Sequence, residues 1–161
     1  MWNSRIWFNS KRGYQKMNKE KKLIPGLPSG FEDRWDKKLL LKKKLLKAIE
    51  NNFIKFGAEA LETPSFEISE NIGSFLAEDD SNPMSDVFMF QDGEKSITLR
   101  YDLSSPLARF VAQNNQELPS IYKRYQISSV YRNEKSGNGR YREFMQADFD
   151  IVGNVNPAQA N

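Results

Sequence analysis

The side chains that could do chemistry in this chain are arginines, lysines and carboxylates. The 161-residue sequence has no cysteine and no histidine. Their absence excludes disulfides, thiolate metal ligands and cysteine nucleophiles, and it removes the usual general base and the commonest transition-metal ligand. Any reaction carried out by this chain must therefore depend on carboxylates, arginines and the backbone.

Polar side chains alternate with apolar ones along the last strand-like run, Tyr141–Val152. Residues of one parity in a strand share a face. One face of this run carries Arg142, Phe144, Gln146, Asp148 and Asp150. The other face, mainly apolar, carries Glu143, Met145, Ala147, Phe149 and Ile151. The preceding run, Lys123–Asn133, similarly groups Arg124, Gln126, Ser128, Val130 and Arg132, and an earlier run groups Arg100, Asp102 and Ser104.

A charged, glycine-containing loop joins the two long runs, from Glu134 to Arg140. A polar sheet face beneath a basic loop can hold an anionic ligand, with arginine forks on phosphates and Phe144 stacked on a base. The alternative is a solvated sheet face with scattered ion pairs, which would be the better interpretation of a single strand. Because the pattern recurs on neighbouring runs, ligand binding is favoured.

The element that precedes these strands is predicted to be a long amphipathic helix from about 32 to 56. Its apolar residues recur at helical spacing: Trp35, Leu39, Leu46, Ile49, Phe53 and Phe56. Ser29 and Glu32 have the spacing of a capping box, and Gly57 is a candidate C-cap. The lysines on the other faces either form a nucleic-acid patch or, as we prefer, a solvated helix face.

The remaining elements are shorter and include a hairpin. In chain order, we predict a strand at Ala58–Glu62, a polar loop at Asp79–Ser85, strands at Asp86–Phe90 and Lys95–Arg100 around the turn Gln91–Glu94, and a helix at Ser105–Gln113 with Pro106 in its first turn. The short connection between the two long runs favours an antiparallel pair. The expected fold class is therefore α+β, an antiparallel sheet with flanking helices.

Positive charge is concentrated in residues 1–22, which carry seven basic residues and one acidic residue. The rest of the chain has 17 basic and 20 acidic residues. This basic N-terminal extension is either a targeting peptide or sequence upstream of a start at Met17, and we prefer the second. It has neither a long apolar core nor a small-residue cleavage site. No run approaches the roughly 18 apolar residues of a membrane span, so a cytoplasmic location and no membrane partner are expected.

The segments Tyr131–Glu134 and Arg140–Phe144 together resemble motif 2 of class II aminoacyl-tRNA synthetases. The continuation from Gly139 to Gly153 looks like the histidyl-tRNA synthetase family in particular, and Leu99–Ser104 resembles its histidine-binding segment. The helix ending at Gly57 and the strand after it resemble motif 1, which builds the dimer interface of the class. The resemblance covers about residues 25–158 and implies that residues 23–161 are the N-terminal part of a class II catalytic core.

The resemblance implies an ATP site made by Arg132, Glu134, Arg140 and Phe144. Arg132, the expected catalytic residue, would contact the α-phosphate and the histidine carboxylate. Glu134 would contact the adenine, Phe144 would stack on it, and Arg140 would reach the γ-phosphate.

It also implies a histidine site made by Asp102, Ser104, Arg132, Gln146 and Asp150. Asp102 and Ser104 would hold the α-amino group, and Gln146 and Asp150 would complete the amino-acid pocket. No residue is assigned to a metal with certainty, although Mg²⁺ is expected with ATP.

The activity implied by the resemblance is ATP-dependent activation of histidine to histidyl-adenylate and its transfer to histidine tRNA, by a homodimer. The substrate carboxylate is the nucleophile, so a chain without histidine can catalyse the step by positioning and charge stabilisation. The family's second catalytic arginine, third class motif and anticodon-binding domain are not found before Asn161. The chain is therefore expected to be a fragment with at most trace activity alone.

Two alternatives to this interpretation remain, and both are ranked below it. The first is a non-catalytic paralogue resembling the regulatory subunit of ATP phosphoribosyltransferase, which keeps the fold but does not charge tRNA. A degraded ATP loop would favour it, whereas Arg132, Glu134, Arg140 and Phe144 are all present. The second is an interaction domain whose polar sheet face is only solvated.

Overall fold

The computed structural model describes residues 24–76 and 86–154, so the predicted basic extension and the predicted polar loop at 79–85 lie outside the described residues. The described part forms three helices and six strands. In chain order these are α1 (Asp36–Lys55), β1 (Glu59–Ala60), β2 (Phe66–Ile68), α2 (Ser69–Leu76), β3 (Met89–Asp92), β4 (Lys95–Leu99), α3 (Ser104–Asn114), β5 (Ile121–Tyr131) and β6 (Glu143–Gly153). The predicted α+β class with antiparallel sheets is confirmed.

The first sheet has the order β1-β5-β6 and contains the long antiparallel pair that the sequence predicts. Strands β5 and β6 pair along their full length, from Ile121 opposite Gly153 to Tyr131 opposite Glu143. Strand β1 is shorter than predicted and runs parallel to β5. Of the six described strands, β5 and β6 are the longest, and their two faces therefore dominate this part of the molecule.

Helix α1 covers the apolar face of the first sheet with aromatic contacts. The Phe53 ring centroid lies 5.8 Å from that of Tyr125 on β5 and 5.6 Å from that of Phe149 on β6. The Tyr125 hydroxyl also donates to the Glu50 carboxylate, at 3.2 Å. The polar face of β5 and β6 lies on the other side of the sheet from α1, and its Arg124, Gln126 and Val130 side chains are buried. Gly57 follows the helix with φ of +75°, as the predicted left-handed C-cap requires.

The predicted start of α1 is wrong, because the helix begins at Asp36 and not near residue 32. The capping box does not form. Ser29 Oγ lies 2.8 Å from Ser136 Oγ, and Glu32 accepts a hydrogen bond from Arg34 at 2.7 Å. Both candidate capping side chains are thus engaged elsewhere, and the segment before α1 is held against the loop between β5 and β6.

The second sheet has the order β2-β4-β3, and its β3–β4 hairpin is confirmed. The turn is the two residues Gly93 and Glu94, and β3 begins at Met89, three residues later than predicted. Helix α3 is confirmed at Ser104–Asn114. None of the helices in the described part of the chain is long and apolar enough to cross a membrane.

Buried Arg100, just after β4, ties the two sheets together. Its Nε donates to the Ser129 carbonyl of β5 and its Nη1 to the Thr63 carbonyl, both at 2.7 Å. The Arg100 carbonyl in turn accepts from the Tyr131 amide at 3.0 Å. These bonds hold the segment after β4, which leads into α3, against β5.

Candidate active site on the polar sheet face

Strand register sets the polar face of β5 and β6. The opposite pairs on this face are Arg124 with Asp150, Gln126 with Asp148, Ser128 with Gln146, and Val130 with Phe144. The side-chain alternation that the sequence predicts therefore holds across both strands. At about 3.3 Å per residue, Phe144 and Asp150 are about 20 Å apart along β6. That length is enough for a nucleotide and an amino acid placed end to end.

Arg132 lies at one end of the polar face, one residue beyond β5. Its guanidinium carbon is 4.3 Å from the centre of the Tyr101 ring and 5.1 Å from that of Phe144. Its Nε donates to the Tyr101 carbonyl at 3.4 Å. No carboxylate of the described residues forms an ion pair with it. Because aromatic faces attract a cation without neutralising it, the charge of Arg132 remains available to an anionic ligand.

The loop after β5 brings the other predicted ATP-binding residues to the same end. Arg140 Nε donates to Glu134 Oε2 at 2.6 Å, and Arg140 Nη2 pairs with the same oxygen. The Tyr101 hydroxyl donates to Glu134 Oε1 at 3.4 Å. Burial raises the pKa of Tyr101, so its hydroxyl keeps its proton and remains a donor. Arg132, Glu134, Arg140 and Phe144 thus gather around Tyr101.

The N-terminal segment supports this end of the face from outside. The Arg142 amide donates to the Gly30 carbonyl at 2.8 Å, and the Arg142 carbonyl accepts from the Arg132 amide at 2.9 Å. Arg142 Nε also donates to the Glu134 carbonyl, at 2.8 Å. Arg142 therefore links Gly30, the loop and Arg132. The sequence predicts none of these contacts, since Gly30 is distant from Arg142 along the chain.

Three of the predicted histidine-binding residues, Asp102, Gln146 and Asp150, lie on or against the polar face. Gln146 Nε2 donates to Asp148 Oδ2 at 3.3 Å. Asp102 accepts from the Ser105 amide, in the first turn of α3, at 3.0 Å. Ser104 is the exposed first residue of α3, and no hydrogen bond within the described residues joins it to the polar face.

Carboxylates concentrate at the Asp150 end of the face, around a wholly buried arginine. Arg124 Nη2 lies 2.6 Å from Asp150 Oδ2. Burial raises the pKa of Asp148; the charge of Arg124 lowers it, and the charges of Asp150 and Asp102 raise it further. The Leu103 carbonyl accepts from Arg124 Nη2 at 3.1 Å, so the Asp102–Leu103 segment lies against this end of the face.

Sequence reasoning missed residues of the candidate site at both ends of the face. Arg124 and Asp148 had a usable signal, because their parity places them among the polar residues. Tyr101 had no such signal, because it has the opposite parity to Arg100 and Asp102. Its ring lies against Arg132 only because the chain leaves β4 at this point.

A separate cavity of about 870 Å³, lined by residues including Phe31 and Trp35, lies at the start of α1. We place the candidate site on the polar face instead, because the arginines and carboxylates converge there.

The comparisons with known sequences agree on one family. The family model for histidyl-tRNA synthetase matches residues 30–160. The histidine–tRNA ligase of Pelagibacter ubique (strain HTCC1062) is 82% identical over 145 residues, which cover 90% of this chain and 31% of that protein. The histidine–tRNA ligase of Rhodopseudomonas palustris (strain BisB18) is 44% identical over 145 residues, 89% of this chain and 28% of that protein. The chain thus spans about a third of the length of these relatives.

Solved structures support the fold. Histidyl-tRNA synthetase from Nostoc sp. PCC 7120 matches with a TM-score of 0.66 and 27% identity, over 81% of this chain and 29% of that one. An ATP phosphoribosyltransferase regulatory subunit/histidyl-tRNA synthetase from Bacillus halodurans C matches with a TM-score of 0.72 and 24% identity, over 84% and 34%. The second likeness bears on the fold alone. On the strength of the family match and the 82% identity, this chain belongs to the histidyl-tRNA synthetase family.

Proposed function

We propose that this chain supplies the ATP-binding and histidine-binding part of a class II histidine–tRNA ligase. The complete enzyme would activate histidine to histidyl-adenylate and transfer it to histidine tRNA. The observation that carries the proposal is the setting of Arg132, a cation held between Tyr101 and Phe144 without a carboxylate partner among the described residues. Arg132 lies where the polar face meets the loop that carries Glu134 and Arg140.

The proposed chemistry at Arg132 is the approach of two anions. An oxygen of the substrate carboxylate attacks the α-phosphorus, the bond to the β-phosphate oxygen breaks, and pyrophosphate leaves. The guanidinium lowers the repulsion between carboxylate and phosphate and stabilises the charge that develops at phosphorus. No protein base takes part, because the nucleophile is already ionised.

ATP binding requires the Arg140–Glu134 ion pair to open. Arg140 has a side chain that is 66% exposed, and Glu134 one that is 19% exposed. An exposed ion pair contributes about 0–1 kcal/mol, so a triphosphate can displace it at small cost. Glu134 is then free to accept from the adenine amino group, and Arg140 is free to bind the γ-phosphate. The ion pair thus holds both side chains near their proposed positions before ATP arrives.

The other end of the face suits the amino acid. The carboxylates of Asp102 and Asp150 favour the α-ammonium group and the ring N–H of histidine. Gln146 lies between this end and Phe144 along β6, and its Oε1 is buried without a hydrogen-bond partner among the described residues. An acceptor left open in this way supports the assignment of Gln146 to the pocket.

Mg²⁺ fits this site as a companion of ATP. The described residues contain no group of three or more potential metal-binding side chains. Mg²⁺ in nucleotide sites is held largely by phosphate oxygens and water, with only one or two carboxylates, so such a group of side chains is not required. When bound, the ion would neutralise phosphate charge.

The proposal also includes a second copy of the chain, histidine tRNA as partner, and the cytoplasm as location. Helix α1 exposes apolar side chains on the side away from the sheet, with Leu40, Leu41 and Leu45 each at least 60% exposed. Such a surface is suited to a homodimer contact.

The test uses an enzyme completed from a relative. The "completed enzyme" is the Pelagibacter ubique histidine–tRNA ligase in which the 145 matching residues are replaced by the corresponding residues of this chain. We expect histidine-dependent ATP–pyrophosphate exchange and charging of histidine tRNA, and background exchange with the other amino acids. The 161-residue chain alone should give at most trace exchange.

The unaltered Pelagibacter ubique ligase is the control for the assay. If that control is active and the completed enzyme forms no adenylate, the proposal is wrong. A completed enzyme that binds histidine without forming adenylate would favour the regulatory paralogue instead.

A further inference from the structure

Arg124 is a fully buried cation whose hydrogen bonds are incomplete. Its side chain is 0% exposed. Nη2 donates a hydrogen bond to the Leu103 carbonyl at 3.1 Å. Nη2 also forms the ion pair with Asp150, but the geometry of this ion pair is not that of a hydrogen bond. Nε and Nη1 are buried and have no hydrogen-bond partner among the described residues. Buried donors are almost always paired, so each exception calls for a reason.

Stability alone does not explain a buried arginine here. An apolar side chain of similar size in place of one buried ion pair often leaves a protein as stable or more stable. Arg124 nevertheless lies beneath the carboxylates of the proposed amino-acid pocket, with Asp150 directly opposite and Asp148 next along β6. Its position therefore suggests a role in the pocket.

The contacts of Arg124 join two separate walls of that pocket. One contact is with Asp150, on β6. The other is with the Leu103 carbonyl, in the turn that follows Asp102 and begins α3. One guanidinium nitrogen, Nη2, thus links the strand to the turn, and the rigid planar group that carries it fixes its position better than a flexible lysine side chain would.

We infer that Arg124 is a positioning residue that determines the affinity of the pocket for the amino-acid substrate. It orients the Asp150 carboxylate and the Asp102–Leu103 turn around the amino group and ring of the substrate. The inference rests on the proposed function. It concerns a residue outside the predicted ATP and histidine contacts.

The test compares Arg124→Met with Arg124→Lys in the completed enzyme, with KM and kcat measured for pyrophosphate exchange. We expect Arg124→Met to raise KM for histidine about tenfold or more, because small displacements of positioning groups can cost up to about a hundredfold. KM for ATP should change by less than about twofold, since Phe144 and Arg132 lie at the other end of the face. Arg124→Lys should restore part of the loss.

The matched control is Arg109→Met. Arg109 forms a two-point ion pair with buried Glu67, at 2.7 and 2.8 Å, on the second sheet. It should lower stability without a selective change in KM for histidine. Titration with histidinol gives a second readout, because this analogue keeps the amino group and the ring but lacks the carboxylate that Arg132 would bind. Arg124→Met should weaken its binding as it weakens that of histidine.

The outcomes separate the two proposals. If the unsubstituted completed enzyme shows no histidine-dependent exchange, the proposed function fails and this inference fails with it. If it is active, but Arg124 variants keep KM for histidine and histidinol binding within twofold, only the inference is overturned. An equal rise in both KM values, matched by Arg109→Met, would likewise reduce Arg124 to a structural residue. Should Arg124→Met not fold, Arg124→Lys is judged by the same readouts.

Discussion

Arg124 and Arg132 have the same parity in one stretch of chain, yet they have opposite surroundings. Arg124 is wholly buried and paired with Asp150. Arg132, eight residues later, lies between the rings of Tyr101 and Phe144 and forms no ion pair with any carboxylate in the described ranges. The paired arginine can only orient its neighbours, whereas the other keeps a charge that an incoming anion can use. Partners, and not residue type, distinguish the proposed amino-acid end of the polar face from its proposed nucleotide end.

The largest effect is expected from Arg132→Lys in the completed enzyme. Lysine keeps the charge but loses the planar two-point contact to carboxylate and phosphate. Loss of a contact of this kind costs about 10²–10³ in rate. Pre-steady-state formation of histidyl-adenylate is the measurement, because it isolates the chemical step from transfer and product release. A variant that folds and forms adenylate at the parent rate would remove Arg132 from the active site.

Phe144→Leu tests the nucleotide end specifically. Stacking of a base on an aromatic ring is worth about 1–3 kcal/mol, so KM for ATP should rise and KM for histidine should change little. Phe66→Leu is a suitable control, because Phe66 is an exposed aromatic on the second sheet that contacts Phe90. Equal effects of both substitutions on KM for ATP would contradict a stacking role.

Gly30→Ala tests the support of the nucleotide end. Gly30 has φ of +83°, and a Cβ there would lie 2.7 Å from Arg142 Cγ. A left-handed conformation costs an L-residue roughly 1–2 kcal/mol, and Arg142 must also shift. We expect a loss of stability of about that size and a higher KM for ATP. Gly26→Ala is the control, since a Cβ at Gly26 meets nothing within 4 Å. Identical melting curves for both variants would show that the contact between Gly30 and Arg142 does not support the loop.

The smallest effect is expected from Asp148→Asn, a substitution at the Arg124 end of the polar face that should change stability. Burial raises the pKa of Asp148 in the folded state. Between the unfolded and folded pKa values the native state therefore binds more protons, so stability falls as pH rises through that window. Asparagine stays neutral, so the variant should be more stable than the parent at neutral pH, and this advantage should vanish below the unfolded pKa. Thermal unfolding from roughly pH 3 to pH 8 measures this sign, and exposed Asp92→Asn is the control. A variant less stable than its parent at neutral pH would mean that the Asp148 carboxylate is stabilising.

The strongly patterned elements of the fold could be predicted, and the weakly patterned ones could not. Helix α1, the β3–β4 hairpin and the β5–β6 pair follow from periodicity and turn residues. Strand β2 and helix α2 were missed, because a three-residue strand just after Pro64 shows too little alternation. The start of α1 was wrong because Ser29 hydrogen-bonds to Ser136, a partner more than a hundred residues away.

The sequence by itself determined which side chains of β5 and β6 share a face, because alternation is a property of any extended strand. It also placed Arg132, Glu134, Arg140 and Phe144 within one loop and its flanks. Only the tertiary structure decided which arginine is paired and which is open. Arg100 bonds to carbonyls of distant segments and holds the chain after β4 against β5. This packing puts Tyr101 beside Arg132 and the Leu103 carbonyl beside Arg124. The surroundings of each guanidinium then determine whether its charge is paired within the protein or open to a ligand.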